Sequence, residues 1–165
     1  MNICQLLSPD ATLVCSQISS KKKVLEKVSE IIAAKTDATE KTIFESLIAR
    51  EKLGTTALGN GVAIPHGRVA DCDKVTAVFL LLESTIDYDA PDKKPVDIIF
   101  AIIVPEEAHE EHLRHLAFIA EILSQQKVLT KIRHAHSGEA LFEILEDAAS
   151  HLALNRGNND EKDIC

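Results

Sequence analysis

Val75-Thr76-Ala77-Val78-Phe79-Leu80-Leu81-Leu82 and Val96-Asp97-Ile98-Ile99-Phe100-Ala101-Ile102-Ile103-Val104 decide the fold. Both runs are nearly continuously apolar and lack the polar gaps of a helix exposed on one side. Side chains along a strand point alternately to opposite faces, so runs of this kind read as strands buried on both faces, with helices covering each. The segment between them is polar and holds Pro91 and Pro95, so it reads as a loop, and Pro105 ends the second run.

Outward from the strands the periodicity turns helical. Ser19 or Ser20 can cap a helix running to about Lys35, with Val24, Leu25, Val28, Ile31 and Ile32 on one stripe. A second helix is expected from near Asp37, with Glu40 completing a capping box and Ile43, Phe44, Leu47 and Ile48 buried. Gly54 is its stop. After the second strand, a long helix is expected from about Glu107 to Ser124 with Leu113, Leu116, Ala117, Ala120 and Leu123 on its core stripe. A shorter one follows over Val128 to Arg133. The last starts near Ser137 and buries Leu141, Ile144, Leu145 and Ala148. The expectation is α/β: a single-domain sandwich over residues 1–154, with a mixed central β-sheet and helices on both faces. Residues 155–165 are expected to form a polar, disordered tail.

Composition narrows the class. The chain has 165 residues, 45% of them apolar, with no Trp and only 4% aromatics, so one domain with an aliphatic core is expected. No apolar run reaches the ~18 residues of a membrane span, and the N-terminus lacks a signal-peptide pattern, so neither membrane insertion nor export is expected. Cys4, Cys15, Cys72 and Cys165 form no CxxC pair and read as reduced cytoplasmic thiols. Residues 1–68 carry nine Lys and Arg against seven Asp and Glu, whereas residues 69–165 carry nine against nineteen. This acidic balance disfavours a nucleic-acid partner. Lys21-Lys22-Lys23, the only basic cluster, reads as a solvated helix start.

The chemistry concentrates in Gly59-Asn60-Gly61-Val62-Ala63-Ile64-Pro65-His66-Gly67-Arg68. It reads either as a Gly-rich turn that happens to hold a histidine or as a site for a phosphoryl group. Neutral imidazole is a nucleophile at pH 7, and phosphoryl transfer requires chiefly positioning and cationic or N–H donors. His66 is the candidate acceptor. Arg50 and Arg68 are candidate cations, Thr55, Thr56 and Asn60 side-chain donors, and Gly59, Gly61 and Gly67 sources of open main-chain N–H groups. No ATP-binding loop or kinase motif is present, and no cofactor is expected.

His109-Glu110-Glu111-His112-Leu113-Arg114-His115 invites a metal reading that the spacing rejects. A zincin helix needs histidines four apart, whereas Leu occupies position 113. Histidines at three-residue steps drift about 60° each around a helix and converge poorly. His112 is set apart because Leu116, one turn on, lies on the expected core stripe. It reads either as a donor to a phosphoryl group on His66 or as a hydrogen-bonded boundary histidine. His134, His136 and His151 carry no pattern.

Over roughly residues 3–150 the chain resembles the enzyme IIA domains of the bacterial phosphoenolpyruvate-dependent phosphotransferase system, fructose/mannitol class, and within it the nitrogen-regulatory branch. The resemblance rests on Arg50 through Gly67 without a break, Ile86-Asp87-Tyr88-Asp89-Ala90, Pro95 through Ala101, Val104-Pro105 and His112-Leu113. It implies that His66 accepts a phosphoryl group from an HPr-type phosphocarrier, itself charged from enzyme I, with Arg50 and His112 stabilising that group. Thr56, Asn60, Gly61 and Gly67 match motif positions, while Arg68 stands where the family often has Lys. No sugar-transport domain is fused, which favours a regulatory protein acting on further target proteins. The alternative is a stand-alone IIA component that passes phosphate to a IIB domain of a sugar permease.

Overall fold

The computed structural model describes residues 2–108 and 110–160. The element order is β1 (Thr12–Cys15), α1 (Lys21–Ala33), α2 (Glu40–Lys52), β2 (Ala57–Gly59), β3 (Val62–Ala63), β4 (His66–Val69), β5 (Thr76–Ile86), β6 (Val96–Pro105), α3 (Glu110–Ile122), α4 (Gln126–Arg133) and α5 (Gly138–Asp160). The two apolar runs are β5 and β6. They pair antiparallel at the centre of a six-stranded mixed sheet of order β1-β5-β6-β3-β2, with β4 also paired to β6. Every residue from Thr76 to Leu82 and from Ile98 to Val104 is buried. Because successive side chains face opposite ways, both faces of the sheet are covered. Phe79 and Phe100 pair at its centre with ring centroids 5.8 Å apart.

One edge of β6 receives two short strands in line. Val62 and Ala63 pair with Ile98 and Ile99, and His66 to Val69 pair with Ile102 to Pro105, all parallel. Ile64-Pro65 interrupts the line. Proline has no N–H for the ladder, but the Pro65 carbonyl accepts from Ile102 N–H at 3.0 Å. His66 therefore begins a strand held by the most buried strand of the molecule, and does not sit on a free loop.

Several sequence expectations are corrected. α2 starts at Glu40, not near Asp37, because Thr39 is its cap: the Thr39 hydroxyl accepts from Thr42 N–H at 3.1 Å. On α3 the buried stripe is Phe118, Ile119, Ile122 and Leu123. Leu113 is 66% exposed, Ala117 is exposed, and Leu116 and Ala120 are half-buried. The helix carries two apolar stripes, and the expected one is largely the outer of the two. α5 continues through Asp160, so residues 155–160 extend a helix already nucleated, where each added residue gains a hydrogen bond without a new nucleation cost. Residues 161–165 of the expected tail, including Cys165, lie outside the described residues. Lys21 is not a solvated helix start. Its side chain is 22% exposed and its ammonium lies 2.9 Å from Glu51 Oε2.

Candidate active site

His66 is placed by main-chain hydrogen bonding on both sides. Its backbone joins β6, and its Nδ1 lies 2.8 Å from the Ile64 carbonyl oxygen. A carbonyl only accepts, so Nδ1 carries the proton and Nε2 keeps its lone pair. Nε2 has no hydrogen-bond partner among the described residues. Burial pushes the imidazole below its ordinary value and the Arg50 charge adds to the drop, while the Ile64 carbonyl and Glu51 oppose it. The ring is therefore neutral at pH 7, the form in which it is a nucleophile.

His66 opens on a cavity of about 320 Å³ lined by Arg50, Thr55, Thr56, Leu58, Ile64 and the α3 residues Leu116, Ala117 and Ala120, among others. Arg50 reaches it from the last turn of α2, where its guanidinium donates to the Gly54 carbonyl at 2.8 Å. The outer apolar stripe of α3 thus forms one wall of the cavity, which is why its periodicity resembled a core stripe.

His112 packs its ring against His66, with centroids 5.4 Å apart and planes tilted 48°. It is 6% exposed, and its Nδ1 is buried without a hydrogen-bond partner among the described residues. Burial first, then the charges of His66, Arg68 and His115, push its imidazole down to about 4. It is neutral at pH 7, with Nδ1 unspent on a ring that lies beside His66. His109 lies outside the described residues, and no group of three His, Cys, Asp or Glu among those described could hold a metal ion.

The remaining candidates separate. Thr56 lines the cavity. Asn60 and Gly61 do not: they form the turn between β2 and β3, with φ of 56° and 81°, the Asn-Gly pair that a tight hairpin prefers. Asn60 N–H donates to Asp92 and its carbonyl accepts from Arg133, while a Cβ on Gly61 would lie 2.4 Å from the Arg133 guanidinium. They line a different hollow with Asp97 and Arg133. Gly67 is a packing glycine, since a Cβ there would sit 2.3 Å from Ser46 Oγ and 3.3 Å from the Ser46 backbone. Ser46 clamps the Arg68 main chain, accepting from its N–H at 3.0 Å and donating to its carbonyl at 2.9 Å. The Arg68 side chain is exposed, with its charge near enough to His112 to depress that imidazole.

Sequence reasoning missed Glu51 and Tyr88. Glu51 is buried, salt-bridged to Lys21, and accepts from Tyr88 OH at 3.0 Å, Thr56 N–H at 3.2 Å and the Thr56 hydroxyl. Burial and the Glu51 charge raise the Tyr88 phenol far above its ordinary range, so it remains a donor. The signal was present: Glu51 continues the four-residue steps Ile43 and Leu47, placing a carboxylate on the buried stripe.

Residues 5–148 match the family described as "Phosphoenolpyruvate-dependent sugar phosphotransferase system, EIIA 2". A nitrogen regulatory protein of Pseudomonas aeruginosa is 44% identical over 144 residues, covering 87% of this chain and 94% of that one. One from Bradyrhizobium diazoefficiens is 39% identical over 145 residues, covering 88% and 95%. Among solved structures, nitrogen regulatory protein IIA-Ntr from Neisseria meningitidis superimposes with a TM-score of 0.81 at 38% identity, covering 87% of this chain and 98% of that one.

Proposed function

The chain belongs to the EIIA type 2 family of the phosphoenolpyruvate-dependent sugar phosphotransferase system, and from that premise we propose that it is a regulatory phosphocarrier whose acceptor is His66 Nε2. One observation carries the assignment of the atom: the Ile64 carbonyl accepts a hydrogen bond from Nδ1–H, which directs the Nε2 lone pair away from the backbone. The donor is a cytoplasmic phosphocarrier of the HPr type, itself phosphorylated on a histidine. As its P–N bond breaks, a P–N bond forms at His66 Nε2. Positive charge then develops on the His66 ring, where the Ile64 carbonyl accepts the Nδ1–H bond. Arg50 supplies charge to the phosphoryl oxygens and His112 offers a ring N–H, so that donors already in place meet the charge as it arrives.

Docking of a protein donor is supported by the surface around the cavity. Leu53, Leu58 and Leu113 are 84%, 51% and 66% exposed and lie at the end of α2, on β2 and on α3, the elements that build the site. The nitrogen-regulatory names of the relatives favour signalling by phosphorylation state over delivery to a sugar permease. A change of about two charges at one histidine is enough to alter which target protein binds.

The test is labelling with radioactive phosphoenolpyruvate, enzyme I and an HPr-type carrier. The wild type should gain an acid-labile, base-stable label, and His66→Ala should gain none. A label that persists in His66→Ala refutes the assignment.

A further inference from the structure

We infer that Glu51 is the positioning residue of His66: it sets the ring's tautomer and aim through Thr56 and Ile64 without touching the histidine. The connection is continuous. The Glu51 carboxylate accepts Thr56 N–H at 3.2 Å; the Thr56 carbonyl accepts Ile64 N–H at 3.1 Å; the Ile64 carbonyl accepts the His66 Nδ1 proton at 2.8 Å. Each link holds one side of the residue whose other side makes the next. Ile64-Pro65 lies between β3 and β4, where the ladder to β6 is interrupted. Ile64 is therefore held through its N–H by Thr56, the residue before β2, and Thr56 is held by Glu51.

The carboxylate is itself over-determined. Lys21 comes from the first turn of α1 at 2.9 Å and also lies 4.4 Å above the Tyr88 ring. Tyr88 donates to Glu51 through its hydroxyl, and its carbonyl accepts from the Thr55 hydroxyl at 2.9 Å. Thr55 Oγ1 in turn accepts Ala57 N–H at 3.2 Å. The cavity wall 55–57 is thus gripped from the carboxylate and from Tyr88. A buried carboxylate with a cation and three hydrogen-bond donors is a costly arrangement for a helix end that only has to stop. Its geometry is accounted for by what it holds in place. Glu51 also follows Arg50 directly on α2, so one helix turn carries both the cation of the cavity and the anchor of its wall.

The inference rests on the phosphocarrier reading for its functional consequence, but not for its structural readout. The probe is Glu51→Gln, which keeps the shape and leaves one acceptor oxygen where two were used. In the unphosphorylated protein, ¹⁵N NMR of the His66 ring should show mainly the Nδ1–H tautomer in the wild type and a mixture in Glu51→Gln. In single-turnover transfer from the phosphorylated carrier, the maximal rate should fall roughly tenfold to a hundredfold, the scale of an ångström of misplacement. The carrier concentration for half-maximal rate should stay within about twofold, because the docking surface is untouched. Tyr88→Phe removes one donor and should shift both readouts the same way by less. It decides the question if Glu51→Gln does not fold. An unchanged tautomer and an unchanged maximal rate overturn the inference. So does an equal loss in Ile43→Ala, a variant that disturbs the same helix away from the carboxylate. If the wild type takes no label on His66, the phosphocarrier reading fails, while the tautomer readout still judges Glu51.

Discussion

Replacing His112 by Gln should abolish a large part of the stability loss that the protein suffers in mild acid. The wild-type imidazole is held neutral to about 4 against an ordinary value of 6.5, first by burial and then by His66, Arg68 and His115. As pH falls through 6.5 the unfolded chain takes up this proton, while the folded chain does not until about 4. In that window the unfolded state binds more protons, so stability declines as pH falls; above 6.5 the contribution vanishes, and below 4 the loss is complete. At ~1.4 kcal/mol per pH unit the full loss is about 3 kcal/mol. The residue is 6% exposed, so little of this is screened by solvent. Urea unfolding of wild type and His112→Gln at pH 7 and pH 4.5 gives the comparison, since the carboxylates titrate alike in both and cancel. The wild type should lose about 2–3 kcal/mol more than the variant over that range. Parallel losses within about 0.5 kcal/mol, together with an NMR titration of His112 near 6.5, would refute the buried neutral imidazole.

Two further outcomes follow from the packing. Gly67→Ala should cost about 1–3 kcal/mol in urea unfolding, because its Cβ would meet the backbone of Ser46 as well as its hydroxyl and α2 must be displaced from β4; a loss under about 0.5 kcal/mol contradicts the close approach. Arg133→Ala removes a two-pronged contact to Asp97 and the bond to the Asn60 carbonyl. It should speed amide exchange in the β2–β3 turn and leave phosphoryl transfer within about twofold, whereas a large transfer defect would return Asn60 and Gly61 to the His66 site.

What could be read from the sequence depended on length and partners. β5 and β6 were legible because unbroken apolar runs such as Ala77 to Leu82 and Ile98 to Val104, rich in Val, Ile and Leu, have few other readings. β1, β2, β3 and β4 were not, since strands of two to four residues carry almost no alternation and exist only because a neighbour pairs with them. The Asn60-Gly61 pair was a hairpin signal read as phosphoryl chemistry. α3 was placed correctly but phased wrongly, because its two apolar stripes, one for the core and one for the cavity, look the same in sequence.

The sequence by itself determined the central strands, the helices around them and the chemical identities of His66, Arg50 and His112, because periodicity and side-chain chemistry are local properties. Tertiary structure alone decided which nitrogen of His66 is left free, that His112 lies against it, and that Glu51 anchors both Thr56 and Tyr88. These are outcomes of hydrogen bonds and burial between segments far apart in the chain, and a tautomer or a depressed imidazole has no meaning until those segments meet.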